Sequence, residues 1–353
     1  MRISEFDYDL PGELIAQSPA EPRDSSRLLV LRRASGDIEH RVFRELKDLL
    51  GPGDLLVFND TKVIPARLWA RKVPQGGRVE LLLLTKREEG VWEALAGGKH
   101  LVAGTQLDLI PVSTGDGRRP RQVTAEILQD LGEGRRLLRF SSSSGALLSD
   151  FGRVPLPPYI KEPLPDPDRY QTVFARDPGS AAAPTAGLHF TRSLLRDLQS
   201  QGVQLAFLTL HVGLDTFRPI TEREIEQHKL HSEWVRVSSG VAQSVRETRR
   251  QGRKVIAVGT TSVRALETAA RTDEGLRDPG NIAAWEGPTS LYITPGFSFR
   301  VVDGLITNFH LPRSSLLVMV SAFGGKRQIQ QAYRQARDLR YRFYSFGDAM
   351  IIL

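Results

Sequence analysis

Lys254-Val255-Ile256-Ala257-Val258-Gly259-Thr260-Thr261-Ser262-Val263-Arg264-Ala265-Leu266-Glu267 decides how this chain is read. Val255 to Val258 is an unbroken apolar run of strand length, which fits a strand buried on both faces. A Gly-Thr-Thr-Ser turn follows, and a helix begins near Val263. Strand, tight turn and helix in that order build an α/β sheet. At such a turn the N–H groups of a helix N-terminus can hold a phosphate, a carboxylate or a ribose. Plain N-capping by Thr or Ser accounts for the same residues. The stretch is neither a Walker loop nor a Gly-x-Gly-x-x-Gly fingerprint.

Working outward, three more buried strands end in polar residues. Leu55 to Phe58 runs into Asn59-Asp60-Thr61-Lys62, Val203 to Leu210 runs into His211, and Leu305-Ile306 runs into Thr307-Asn308-Phe309-His310. Open α/β sheets bind ligands at such strand ends, although an Asx-turn also explains Asn59 and Asp60. Leu28 to Leu31 and Leu291 to Gly296 read as further strands. Helices are expected where Leu194, Leu195 and Leu198 share a face, over Val241 to Arg253, from a Ser314 or Ser315 cap to Gly324-Gly325, and from Lys326 onward. Ile38 to Leu50 also carries helical spacing. Tyr341, Phe343, Tyr344 and Phe346 read as core.

Residues 68–152 differ in texture. Arg78 to Leu84, Val91 to Ala96, Gln106 to Ile110, Val123 to Leu128 and Arg136 to Phe140 are short strand-like runs separated by glycines. Regular short strands with Gly turns indicate a small barrel or sandwich. The fold class is therefore α/β, with an α/β domain of residues 1–67 plus 153–353 interrupted by an inserted β domain. Ser141 to Ser144 reads as a flexible tip. The prolines from Pro155 to Pro167 read as a stiff extended return.

Composition narrows the function. The chain has 353 residues, 40% hydrophobic and 25% charged, as in ordinary globular proteins. No apolar run is long enough to span a bilayer. The absence of cysteine excludes disulfides, thiolate metal sites and a Cys nucleophile, and fits a reducing cytoplasm. A net charge of +7 favours polyanionic partners. The basic residues Arg246, Arg249 and Arg253, and Lys326, Arg334 and Arg337, lie on two expected helices. They are candidate phosphate contacts for a nucleic acid, or simply solvated faces.

Ala182-Ala183-Pro184-Thr185-Ala186-Gly187-Leu188-His189-Phe190-Thr191 sets small residues, two Thr and a His at a loop-to-helix junction. Gly187 permits φ > 0 there, and Thr191 can cap the helix. This suits an anion or sugar site, and it equally suits a tight turn whose His makes a local hydrogen bond. His228 and His231, with Glu233, lack a His-Glu-x-x-His form, so no metal is expected.

Seven motifs occur in order: Asn59 to Leu68, Pro155 to Ile160, Ala182 to Thr191, His211 to Pro219, His228 to Trp234, Gly259 to Leu266, and Thr307 to Pro312 leading to Ser321-Ala322-Phe323. Together they resemble the S-adenosylmethionine:tRNA ribosyltransferase-isomerase family of queuosine biosynthesis. The resemblance is close over residues 1–67 and 153–353 and looser in the insert. One departure is Asp215, where the family pattern has Gly.

The resemblance implies that the insert is an antiparallel β-barrel. It implies that S-adenosylmethionine is a co-substrate that donates its ribosyl group to the aminomethyl group of a 7-deazaguanine at the tRNA wobble position. Epoxyqueuosine, adenine and methionine are the implied products, and no separate cofactor is needed. Proton transfers in that reaction give His189, His211 and His310 catalytic readings. Asn59, Asp60, Thr61, Lys62, Thr185, Gly187, Gly259, Thr260, Thr261, Arg264 and Asn308 are the expected substrate-binding residues. A cytoplasmic monomer acting away from membranes is expected. An S-adenosylmethionine-dependent RNA methyltransferase and a non-catalytic RNA-binding protein are the alternatives; the first lacks its Gly-rich loop after an early strand.

Overall fold

The computed structural model describes residues 1–74, 76–112, 122–164, 166–213, 220–272, 275 and 281–353. Two compact units result, Met1–Lys62 with Pro157–Leu353, and Val63–Leu156. The chain begins with β1 (Arg27–Arg32), β2 (Asp37–Val42), β3 (Leu55–Asn59) and β4 (Thr61–Val63). The second unit carries β5 (Arg67–Val73), β6 (Arg78–Glu88), β7 (Val91–Gly97), β8 (Gln106–Ile110), β9 (Thr124–Gly132), β10 (Arg135–Phe140) and α1 (Ser144–Phe151). The first unit resumes with β11 (Asp177–Ser180), α2 (Arg192–Ser200), β12 (Gln204–Leu210), β13 (Glu233–Val237), α3 (Ser239–Arg250), β14 (Val255–Val258) and α4 (Thr260–Ala269). It closes with β15 (Trp285–Thr289), β16 (Gly304–Asn308), α5 (Ser315–Gly324), α6 (Lys326–Asp338) and β17 (Ala349–Ile352).

The larger unit is built on a nine-stranded sheet in the order β15-β13-β12-β3-β14-β16-β17-β1-β2. The period of two along each strand divides its core. Leu55 and Val57 of β3, with Leu29 and Leu31 of β1, pack with residues of α3 to α6. Leu56 and Phe58, with Leu28 and Val30, pack with Phe43, Leu46, Phe190, Leu194 and Leu198. β12, β3, β14 and β16 run parallel. Asn59, Leu210, Val258 and Asn308 therefore end at one edge of the sheet. Among the described residues no helix is long and apolar enough to cross a membrane.

In the smaller unit, β10-β7-β6-β5-β8-β9 close into an antiparallel barrel. Leu68, Ala70, Val79, Leu81, Leu107, Ile127 and Leu138 are fully buried, in the alternation that strands filling a small barrel require. Its two chain ends meet: Arg67 and Arg153 exchange backbone N–H···O bonds of 3.0 and 2.9 Å.

Four local expectations are corrected. Ile38 to Leu50 is not one helix: β2 pairs antiparallel with β1, Ile38 opposite Leu31, and only Phe43–Asp48 coils, as a 3₁₀ segment. A strand ladder with an apolar neighbour overrides the helical spacing there. Leu291 to Gly296 is not a strand; β15, which pairs with β13, lies just before it and ends at Thr289. Ser141 to Ser144 is no flexible tip. The Ser141 hydroxyl accepts from the Thr124 N–H at 2.9 Å, and Ser144, buried at the start of α1, accepts from Trp92 Nε1 at 3.2 Å. Gly187 does not use a positive φ. It sits in a 3₁₀ turn, Thr185–His189, where a Cβ would lie 2.8 Å from Phe174 Cζ and 2.9 Å from Thr172 Cγ2, so its small size is what the packing demands.

Candidate active site

The parallel strand ends and the start of the 3₁₀ turn Thr185–His189 line one cleft, open to solvent. Thr185, Gly259, Thr260, Thr261, Asn308 and His310 are among its walls. Gly259, at φ +91, turns β14 into α4 and donates its N–H to Ile306 O at 2.8 Å. It is the N-cap of α4 but offers no side chain to the first turn. The positive end of that helix thus faces the cleft without an internal partner, which suits an anionic or hydroxyl-bearing group.

Asn308, at the end of β16, organises the wall. Its Nδ2 donates to Tyr344 O at 3.1 Å, which fixes the amide orientation, and its Oδ1 accepts from Thr185 Oγ1 at 3.1 Å. The same Nδ2 lies 3.1 Å from His189 Nε2. An amide nitrogen only donates, so His189 Nε2 is the acceptor and Nδ1 carries the proton, donating to Ser26 Oγ at 2.8 Å. The ring stacks on Phe43 at 4.9 Å. Burial, reinforced by the charges of Arg342 and Arg23, lowers the His189 pKa to about 3. His189 is therefore neutral at neutral pH, with both nitrogens occupied. It lies behind Asn308 and holds that amide in place.

His310 lines the cleft itself. Its Nε2 is 2.7 Å from Thr307 Oγ1, its N–H donates to Tyr333 Oη at 2.9 Å, and its carbonyl accepts from the Tyr8 hydroxyl. Burial lowers its pKa to about 3. The imidazole is neutral and pinned by a hydroxyl on one side and two phenols along its backbone.

His211 belongs to a different cluster. Its Nδ1 pairs with Thr61 Oγ1 at 2.8 Å, and its ring stacks on Trp234 at 5.1 Å. Burial lowers its pKa, opposed by Asp177 and Asp60 and assisted by Arg236. Gly179 leaves room for the ring, since a Cβ there would stand 2.7 Å from Nε2. Asp60 is buried, accepting from Arg176 at 2.6 Å and from Thr209 Oγ1 at 2.8 Å.

Asn59 is fully engaged in clamping strand ends. It donates to Leu210 O and Thr261 Oγ1 and accepts from the N–H groups of Thr61 and Leu210. Lys62 is exposed. Arg264 is turned away from the cleft onto Glu233, with Nε on Leu291 O at 3.0 Å. These placements separate the expected substrate residues into two groups, and the Asn59 and Arg264 side chains act first as structural ties. Asp215 lies outside the described residues.

A family model described as "Queuosine biosynthesis protein" matches residues 3–352. The chain belongs to that family. Among its relatives, the S-adenosylmethionine:tRNA ribosyltransferase-isomerases of Thermotoga petrophila and Moorella thermoacetica are each 51% identical, with both chains covered completely. The solved S-adenosylmethionine tRNA ribosyltransferase of Thermotoga maritima is 41% identical, covers 99% of this chain and 100% of its own, and superposes with a TM-score of 0.56.

In this queuosine-family chain, sequence reasoning missed Ser26, Tyr159 and Tyr344 as neighbours of the cleft or its histidines. None carries a local signal, because each reaches the cleft or its histidines through tertiary packing. The basic faces are also uneven. Arg246 donates to Ile282 O at 2.7 Å and Arg249 pairs with Asp303 at 3.0 Å, so both serve their own fold. The stem of Arg253 lies over Gly53. Lys326 pairs with Glu5 and Arg337 with Asp338, whereas Arg334 is exposed. Among the described residues no group of three His, Cys, Asp or Glu could hold a metal.

Proposed function

We propose that this enzyme transfers and isomerises the ribosyl group of S-adenosylmethionine onto 7-aminomethyl-7-deazaguanine at the tRNA wobble position. The products are epoxyqueuosine-tRNA, adenine and methionine. The observation that carries the proposal is the cleft at the parallel strand ends, lined by a neutral histidine, four threonines and an amide, in a chain whose full-length relatives are named S-adenosylmethionine:tRNA ribosyltransferase-isomerase.

The chemistry makes demands this cleft fits. The sulfonium acidifies the adjoining ribose carbon, so a neutral base must stand nearby; His310 is neutral and lines the cleft. The C–S bond breaks as methionine leaves, the glycosidic bond breaks as adenine leaves, and a new bond forms to the acceptor amine. Thr185, Thr260 and Thr261 offer hydroxyls for the ribose, and the N-terminus of α4 suits the methionine carboxylate. His189 orients Asn308 rather than moving a proton. The tRNA phosphates contact the exposed face of α6 at Arg334 and Arg337, and the protein acts as a cytoplasmic monomer with no metal or separate cofactor.

Ribose-labelled and methyl-labelled S-adenosylmethionine test the reading. With EDTA present, the ribose label is expected on tRNA bearing the aminomethyl-deazaguanine and the methyl label in free methionine. Methyl label on the tRNA would establish the methyltransferase alternative, and activity restored only by a metal would overturn the metal-free chemistry.

A further inference from the structure

Tyr344 combines two unusual features in one residue of the cleft wall. Its backbone stands at φ +72, in the left-handed region that side-chain-bearing residues rarely adopt. Both backbone groups are used: the N–H donates to Phe309 O at 3.1 Å, and the carbonyl accepts from Asn308 Nδ2. The ring is buried, lies against Tyr159 with centroids 4.5 Å apart and planes at 40°, and both rings line the cleft.

The hydroxyl is different. It is buried and has no hydrogen-bond partner among the described residues. Three nearby phenols are bonded: Tyr159 Oη pairs with Ser345 Oγ at 2.6 Å, and the Tyr8 and Tyr333 hydroxyls bond the main chain of His310. Strained backbones cluster at active sites and ligand clamps, and a buried polar atom without a partner calls for an explanation.

We propose that Tyr344 is a substrate-binding residue. Its hydroxyl donates a hydrogen bond to an in-plane acceptor of a purine-type ring that packs against the Tyr159–Tyr344 wall. Burial and the adjacent phenols raise the Tyr344 pKa above its ordinary value, so the group stays protonated and acts as donor. Aromatic side chains on one wall offer a flat heterocycle stacking area as well as a polar handle. The inference rests on the proposed function, which brings two such rings, the adenine of the co-substrate and the deazaguanine of the tRNA.

Tyr344→Phe tests it. Calorimetric titrations of wild type and variant would use S-adenosylhomocysteine and an anticodon stem-loop carrying the aminomethyl-deazaguanine. One ligand is expected to bind about five- to tenfold more weakly to the variant, the worth of one neutral hydrogen bond, and identifies which ring sits there. The other ligand is expected to bind unchanged. The melting temperature of the ligand-free variant should equal or exceed that of wild type, because no bond is removed. Unchanged affinity for both ligands overturns the proposal. Equal weakening of both overturns it as a general disturbance, and a lowered melting temperature shows that the hydroxyl already has a partner. A wild-type protein that binds neither ligand refutes the proposed function itself, and this inference with it.

Discussion

Acidification between pH 7 and pH 5 should destabilise the larger unit through His189 and His310. Each has a folded-state pKa of about 3 against an ordinary value of 6.5, with burial as the main cause. Below pH 6.5 the unfolded chain takes up protons at these sites that the folded chain does not. Stability is therefore present above that pH and is lost as pH falls towards 3. At 1.36 kcal/mol per pH unit, each histidine removes about 2 kcal/mol on going from pH 7 to pH 5, and the pair about 4 kcal/mol. That is a large share of the roughly 5–15 kcal/mol that keeps a domain folded. The carboxylates with lowered pKa, such as Glu5 and Glu222, titrate below this window, and His211 acts in the same sense as the pair. Urea unfolding followed by tryptophan fluorescence at closely spaced pH values gives the slope directly. His189→Asn and His310→Asn should each flatten it by about 1.2 kcal/mol per pH unit near pH 5.5, whatever they do to stability at pH 7. Wild-type slopes in both variants would refute the assignment of neutral, buried imidazoles.

Gly187→Ala should lower stability by about 1–3 kcal/mol, because its methyl must displace Phe174 and Thr172; an unchanged melting temperature would show that the packing yields. His310→Ala should reduce turnover by about 10²–10⁴-fold while S-adenosylhomocysteine still binds, if His310 is the base; wild-type turnover would remove it from the proton transfers. Arg334→Ala should reduce the salt dependence of tRNA binding by about one unit of log–log slope. An unchanged slope would place the footprint elsewhere.

The strands were legible where one physical cause dominated. Val255 to Val258 and Leu55 to Phe58 are apolar without a break because both faces are covered, and no helix of that length competes. The barrel showed itself through its glycines, and its closure entered through the family resemblance. Ile38 to Leu50 misled because an edge strand makes few demands on its outer face, so the spacing of Phe43 and Leu46 read as a longer helix. At the site, Thr260, Thr261, Asn308 and His310 could be found as polar residues ending buried strands. His189 could be found too, but not its role, since that depends on an amide 119 residues away in sequence. Tyr344 gave no sign at all: among Tyr341, Phe343 and Phe346 it looks like core, and only its backbone angle and vacant hydroxyl set it apart.

The barrel leaves and rejoins the chain through one pair of backbone hydrogen bonds between Arg67 and Arg153. The entropy lost in closing a connection depends on how much free chain lies between its ends. Here the paired residues Arg67 and Arg153 set that length, not the whole stretch 63–156, so the module's own ends are held together whatever its size. Hairpins of the barrel can lengthen, shorten or change sequence without moving the two points at which it is spliced in. That makes the insert the part of this enzyme freest to diverge while the strand ends carrying Asn308 and His310 stay fixed in register.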